Sequence, residues 1–238
     1  MEAVRTHDKL YLKENRKLSP KESFKFIYSH SKKFIQGIEN PRILDIGCAT
    51  GDFLYYLSTK FPNAKLMGMD LMPDLIEVAR KEVPKCEFIL GNIQEDSQFQ
   101  AEKFDAIFMV GVHPIFDECQ PWIKNIISQL LKKNGQAFIF GPFNSDNVDI
   151  IVRARRSEDM GPWELGWNTF SIKTMSNFLN ELNMNFKFYN FSIGIDIEKQ
   201  NDPLRAWTVK LESGERLQVN GAGLVRNQGL LVFGKPQI

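Results

Sequence analysis

The chain of 238 residues carries 30 Lys and Arg against 29 Asp and Glu, a net charge of +1, which supplies no global field for nucleic acid or another polyanion. Its hydrophobic content of 43% and charged content of 25% describe an ordinary globular protein, long enough for one large core and not expected to split into two domains. Three cysteines, Cys48, Cys86 and Cys119, lack metal-ligand spacing and read as buried thiols. No apolar run reaches the length of a membrane span and the first turns of the chain are too charged for a signal peptide, so a cytoplasmic protein is expected.

The amino-terminal arm, residues 1–38, is basic, with nine Lys or Arg against four Asp or Glu between Met1 and Lys33. Ser19-Pro20-Lys21-Glu22 reads as a capping box with proline at the first helical position. Phe24, Ile27, Ser31, Phe34 and Ile35 then share one helical face, which is expected to pack on the body as a lid while the lysines stay in solvent.

Arg42 to Ile46 reads as a short apolar strand, and the string Asp45-Ile46-Gly47-Cys48-Ala49-Thr50-Gly51 turns it sharply into a helix beginning near Asp52. A second apolar stretch, Lys65 to Met69, ends in Asp70, which places a carboxylate at the end of the neighbouring strand, where a ribose diol would need it. The dinucleotide fingerprint fails, because Ala49 and Asp52 stand where two of its glycines belong and a carboxylate at the helix start repels a pyrophosphate. A Walker loop fails as well, for want of Gly-Lys-Ser/Thr.

The glycine turn closely resembles that of the class I S-adenosylmethionine-dependent methyltransferases, whose cofactor brings a sulfonium and an amino acid tail in place of phosphate. Acidic neighbours such as Asp45, Asp52 and Asp70 suit that cation. The resemblance runs from Arg42 to Phe140. It implies cofactor contacts at Asp45, Gly47, Cys48, Gly51 and Asp70, then at Leu71 and Met72, where Pro73 opens a helix with Leu75, Ile76 and Ala79 inward. Cys86 to Leu90 reads as the third strand. Asn92 and Ile93 follow it, and Asn92 stands where the family often has an acid on the adenine amine; its amide oxygen can accept instead. Phe104 to Val110 resembles the fourth strand, so Val110 and Gly111 would flank the methionine moiety. A helical stripe from Pro121 to Lys133 is stopped by Asn134-Gly135, and Gln136 to Phe140 is the fifth strand.

The fold implied is an α/β, Rossmann-like three-layer sandwich with a mostly parallel seven-stranded sheet and an antiparallel last strand. Phe186 to Ile197 and Gly229 to Gly234 read as the final pair of strands. A β-hairpin, Thr208 to Leu211 with Arg216 to Val219, lies in an insertion at 200–222. The whole chain, 1–238, is expected to form one cofactor-binding domain.

The acceptor should meet residues 141–170, which leave the fifth strand at its carboxyl end. Arg153, Arg155 and Arg156 offer forks for phosphate or carboxylate, and Trp163 and Trp167 offer faces on which a sugar could stack. Methyl transfer to a hydroxyl of a sugar or glycan precursor is the leading reading, with His113, after the fourth strand, as the general base. A helix cap at Ser171 opens the next helix. Asp117, Asp146, Asn147 and Asp149 could serve a hard cation, but no metal is expected. Two other readings stay open: a methyltransferase for tRNA or protein docked by the basic arm, and a regulatory protein that keeps the cofactor without turnover. The partner expected is a small molecule, with neither membrane nor nucleic acid; a homodimer is compatible with the chain.

Overall fold

The structure is a computed structural model that describes residues 6–95, 103–158 and 160–236. After a 3₁₀ segment at Thr6–Lys13, the chain forms α1 (Glu22–Gln36), β1 (Arg42–Ile46), α2 (Asp52–Lys60), β2 (Lys65–Asp70), α3 (Pro73–Glu82), β3 (Glu87–Leu90) and β4 (Phe104–Val110). Next come α4 (Gln120–Asn125), which widens into a π turn at Ile126–Leu130, β5 (Leu131–Asn144), β6 (Arg153–Ala154), β7 (Glu164–Leu165) and β8 (Phe170–Ser171). The chain ends with α5 (Ile172–Glu181), β9 (Asn185–Asn190), β10 (Trp207–Lys210), β11 (Arg216–Val219) and β12 (Gln228–Gly234).

The main sheet runs β3-β2-β1-β4-β5-β12-β9, with β8 paired to the end of β5. β12 lies antiparallel to both its neighbours, and the pairs from β3 through β5 are parallel. Alternation along each strand makes two apolar faces. Ile107, Met109 and Ile139 pack with Trp122, Ile123, Met175 and Leu179 of α4 and α5. Ala106, Phe108, Phe138 and Phe140 pack with Phe24, Ile27, Ile35, Phe53 and Ile76 of α1, α2 and α3. The expected three-layer α/β architecture is thus present, with the β10–β11 and β6–β7 hairpins added.

Three local expectations change. α1 begins at Glu22 with Lys21 as its cap, and no side chain caps it, so the Ser19 box is not made; Lys21 O closes the first turn by accepting from Phe24 N at 2.9 Å. The helix expected to Lys133 stops at Leu130, because the chain is drawn into the sheet: residues 132–135 bulge opposite Asp105, and Lys132 Nζ bonds its carboxylate at 2.8 Å. β9 ends at Asn190, well short of Ile197, where pairing with β12 runs out. Elsewhere the expected caps and faces hold: Ser171 Oγ accepts from Thr174 N at 3.0 Å, and Phe24, Ile27, Ser31 and Ile35 are the buried face of α1, with Phe34 half-buried.

The strand order leaves β1 between β2 and β4, with connections departing to opposite sides. That is the switch point of an open α/β sheet, where the carboxyl ends of neighbouring strands part to admit a ligand. Gly47, Asp70 and Gly111 all stand there.

Candidate functional site

The turn after β1 is held from both sides. Met69 O accepts from Gly47 N at 2.7 Å and from Cys48 N at 3.0 Å. Asp70 reaches back with one carboxylate oxygen to Ala49 N, 2.8 Å, and forward with the other to Met72 N, 3.0 Å. Burial raises the Asp70 pKa while the amides of Met72, Ala49 and Leu71 pull it down. Asp70 therefore clasps the turn to the exit of β2, in addition to standing at the strand end where a ribose was expected. Leu71, beside it, is half-exposed, and Met72 is partly buried.

The glycines differ in what they protect. Gly47 has φ +72°, and a Cβ there would lie 2.2 Å from Val112 Cγ2. At Gly51, φ +83°, a Cβ would press on Phe88 and Val83. The space a Cβ would take at both is filled by protein, whereas Gly111 has open space beside it. There φ is +75° and a Cβ would meet nothing within 4 Å. Gly111 N donates to Phe140 O at 2.8 Å, which fixes it just past the end of β4.

Asp45 is 2% exposed, and its Oδ1 has no hydrogen-bond partner among the described residues. Burial, reinforced by the nearby Asp70 charge, raises its pKa well above the ordinary carboxylate value. A cation brought to this end of the sheet would relieve both effects. Cys48 is buried, with its sulfur against Gly68, where a Cβ would come within 2.7 Å; burial raises its thiol pKa far above the usual value. Asn92 Oδ1 accepts from Gln94 N at 3.0 Å and its Nδ2 donates to Glu95 at 3.2 Å. Ile93 is buried, and its carbonyl accepts from Asn125 Nδ2 at 2.7 Å. Val110 is partly buried at the end of β4.

His113 is not where a base needs to be. It is fully buried, its ring stacks on Phe143 at 4.8 Å, and Nε2 bonds Pro142 O at 3.1 Å. Burial pushes its pKa down to about 4, against the help of the Pro142 carbonyl. A Cβ on Gly141 would come within 2.3 Å of the ring, so β5 keeps a glycine to make room for it. The geometry is that of a neutral packing residue joining the β4 exit to β5.

The residues proposed for the acceptor are also largely engaged. Arg153 pairs with Asp117 at 2.5 Å and Arg156 with Asp202 at 2.7 Å, while Arg155 lies over the ring of Trp163 at 4.7 Å. Trp163 is 60% exposed, but Trp167 is buried. The arginines therefore do not form one anion site. Two of the carboxylates considered for a cation are engaged: Asp149 accepts from Ser171 N and Thr174 Oγ1, and Asp117 holds Arg153 and Asn168.

Two organising residues escaped the sequence. Asn168 is fully buried, donating to Phe116 O at 2.8 Å and Asp117 at 3.0 Å and accepting from Val152 N at 2.8 Å. It sews the loop after β4 to the loop after β5. Glu14, with a side chain 11% exposed, pairs with Arg205 at 2.5 Å and Lys21 at 3.0 Å, and Arg16 lies 3.6 Å away. Burial works against its charge, yet those cations hold its pKa at about 2. Arg16 N also bonds the Asp52 carboxylate at 3.0 Å, and Lys17 Nζ bonds Glu82. The arm thus lies across the start of α2 with much of its positive charge neutralised internally. Asn168 and the Arg205 end of the Glu14 cluster have partners remote in sequence, so no local pattern marks them.

Residues 43–135 match the family model described as a methyltransferase domain. The chain is 33% identical over 119 residues to demethylmenaquinone methyltransferase of Chlorobaculum tepidum, covering 50% of this chain and 48% of the relative. It is 33% identical over 120 residues to trans-aconitate 2-methyltransferase of Enterobacter sp. strain 638, covering 50% and 46%. The chain thus spans about half the length of the curated relatives it matches. In fold it is similar to an S-adenosylmethionine-dependent methyltransferase from Clostridium acetobutylicum, with a TM-score of 0.61 at 11% identity, over 98% of this chain and all of that one. A glycine turn clasped by an acid, a buried carboxyl and a glycine with open space beside it at the end of β4 lie within the segment that matches the methyltransferase domain model.

Proposed function

We propose that this protein binds S-adenosylmethionine across the carboxyl ends of β2, β1 and β4 and transfers its methyl group to a small-molecule acceptor. The observation that carries the reading is the open space at Gly111, at the same end of the sheet as a buried carboxyl, Asp45, whose Oδ1 has no hydrogen-bond partner among the described residues. A phosphate-bearing cofactor would be repelled by Asp45, Asp52 and Asp70, whereas a sulfonium and an ammonium would be attracted. When bound, the cofactor supplies an electrophilic methyl group on sulfur.

The residues of this chain then act by position. Asp70 keeps the turn closed, Asp45 offers an acceptor to the positive end of the ligand, and Gly111 leaves room for its body. The arm, tied to Asp52 through Arg16 N and to Arg205 through Glu14, covers the turn from outside and excludes water. Alignment of acceptor, methyl and sulfur can supply much of the rate without a covalent enzyme intermediate. With His113 buried, an acceptor ionised at neutral pH needs no protein base.

A hydroxyl of a sugar or glycan precursor has one observation in its favour, the exposed face of Trp163 with Arg155 over it. The relatives named for trans-aconitate and demethylmenaquinone favour organic acids and quinones as the wider class. The test is formation of S-adenosylhomocysteine from S-adenosylmethionine when a metabolite extract cleared of macromolecules is added. Product formed only with the cleared-out RNA and protein fraction would overturn the small-molecule reading.

A further inference from the structure

Between β9 and β10 the chain makes a turn, Asp202-Pro203-Leu204-Arg205, whose two charged ends are bonded to different remote segments. Arg205 pairs with Glu14 of the amino-terminal arm at 2.5 Å. Asp202 pairs with Arg156, in the loop after β5, at 2.7 Å. The turn between them is stiff: Asp202 Oδ1 also accepts from Leu204 N at 3.1 Å, Asp202 O accepts from Arg205 N at 3.2 Å, and Pro203 O accepts from Gly221 N at 2.6 Å. A Cβ on Gly221 would lie 2.6 Å from Pro203 O, so the turn is seated hard against the backbone that follows β11.

The two tied segments reach different halves of the methyl-transfer site. On the cofactor side, Arg16 N bonds the Asp52 carboxylate at 3.0 Å and Lys17 Nζ lies 5.4 Å from the centre of the Tyr55 ring. Asp52 and Tyr55 belong to the first turn of α2, directly after the glycine turn. On the acceptor side, Arg153 holds Asp117 of the loop after β4, and Val152 N donates to Asn168 Oδ1 at 2.8 Å. Asn168 Nδ2 in turn donates to Phe116 O.

The side chains of Glu14 and Asp202 are each 11% exposed and that of Arg205 is 18% exposed, so both pairs are better sheltered from screening than an ordinary surface pair. Lifting the arm takes Glu14 from Arg205 and removes the tie at one end of the turn. Asp202 then holds Arg156 from a looser support. A stiff link between two such pairs favours keeping both or losing both.

We propose that the turn 202–205 is a relay that couples the arm on the cofactor side to the loop 150–157 on the acceptor side. With the arm down, Arg205 and Asp202 hold that loop in place; with the arm lifted, the loop is released. A cofactor that favours the lowered arm thereby orders the acceptor side, and by linkage the acceptor tightens the cofactor by the same factor. The assignment of the two sides rests on the methyltransferase reading, whereas the coupling of arm to loop does not.

The test is amide hydrogen exchange on the full chain, read by NMR at Arg16 in the arm and Val152 in the loop, with Ile107 of β4 as the reference for global unfolding. Glu14→Gln should speed exchange at Arg16 and at Val152 at least threefold more than at Ile107. In an Asp202→Asn background, where the amide oxygen can still accept from Leu204 N, Val152 should already be fast, and adding Glu14→Gln should speed Arg16 alone. Arg156→Gln cuts the same tie from the other side and should reproduce Asp202→Asn. Saturating S-adenosylhomocysteine, with binding checked by calorimetry, should slow Val152 at least threefold in the wild type and leave it unchanged in Asp202→Asn. The proposal is overturned if Glu14→Gln moves Val152 no more than Ile107, or moves it equally with and without the Asp202–Arg156 pair. No S-adenosylhomocysteine binding to the wild type would overturn the methyltransferase reading, while the Glu14→Gln comparison would still decide the relay.

Discussion

Replacing Gly111 by alanine separates a ligand-facing glycine from a merely conformational one. Gly111 and Gly214 both hold positive φ, +75° and +88°, and at both a Cβ would meet nothing within 4 Å. Each alanine variant should therefore lose about 1–2 kcal/mol to backbone strain alone, a fall in Tm of roughly 2–8 °C for a chain of this size. Gly214 lies in the turn between β10 and β11, whereas Gly111 lies just past the end of β4, beside the switch point. If the cofactor fills that opening, the added methyl group displaces it, and affinity for S-adenosylhomocysteine should fall at least tenfold in Gly111→Ala, equivalent to about 1.4 kcal/mol. Gly214→Ala should bind as the wild type does. Thermal unfolding with calorimetric titration of both variants reads the two effects apart. Wild-type affinity in Gly111→Ala, or an equal loss in Gly214→Ala, would refute the placement.

Three further outcomes are expected. Asp70→Ala removes the bonds to Ala49 N and Met72 N, so it should cost about 2 kcal/mol of stability as well as weaken cofactor binding; unchanged Tm and affinity would show that the clasp is idle. Glu14 has its pKa lowered from 4.5 to about 2, so its stabilising charge is present above pH 4.5 and lost as pH falls toward 2. Glu14→Gln should therefore be less stable than wild type at pH 7, and the gap in Tm should close on acidification through that window; a constant gap would mean that the carboxylate charge is not what holds the arm. His113 has its pKa lowered from 6.5 to about 4, so the unfolded chain takes up its proton first and this residue destabilises the fold as pH drops from 6.5 toward 4. The Tm advantage of wild type over His113→Phe should shrink between pH 7.5 and pH 5, and the turnover profile should show no inflection near pH 6.5 that His113→Phe removes.

The elements with a local cause were legible in the sequence. β1, β2 and β4 are apolar runs with sharp ends, α3 opens on Pro73, α5 is capped by Ser171, and the β10–β11 hairpin is written in Glu212-Ser213-Gly214-Glu215. Features set by remote partners were not. Arg156 finds Asp202 across 46 residues and Asn168 finds Phe116 across 52, so residues that look like waiting anion receptors are already paired. Gly47 reads as a ligand-facing gap, but Val112, just past the end of β4, occupies the space a Cβ would take there. His113 follows a strand in a loop, which suggests access, yet Gly141 and Phe143 of the neighbouring strand enclose it. Leu131 has helical spacing from the residues before it, and only pairing with Phe104 draws it into the sheet.

The central claim is that the switch point holds S-adenosylmethionine. Its most direct test is calorimetric titration of the full chain with S-adenosylmethionine, S-adenosylhomocysteine and NAD. The account predicts saturable binding of the two sulfur ligands and none of NAD, because Asp45, Asp52 and Asp70 favour a cation and oppose a pyrophosphate. Binding of NAD, or silence toward both sulfur ligands, would contradict it.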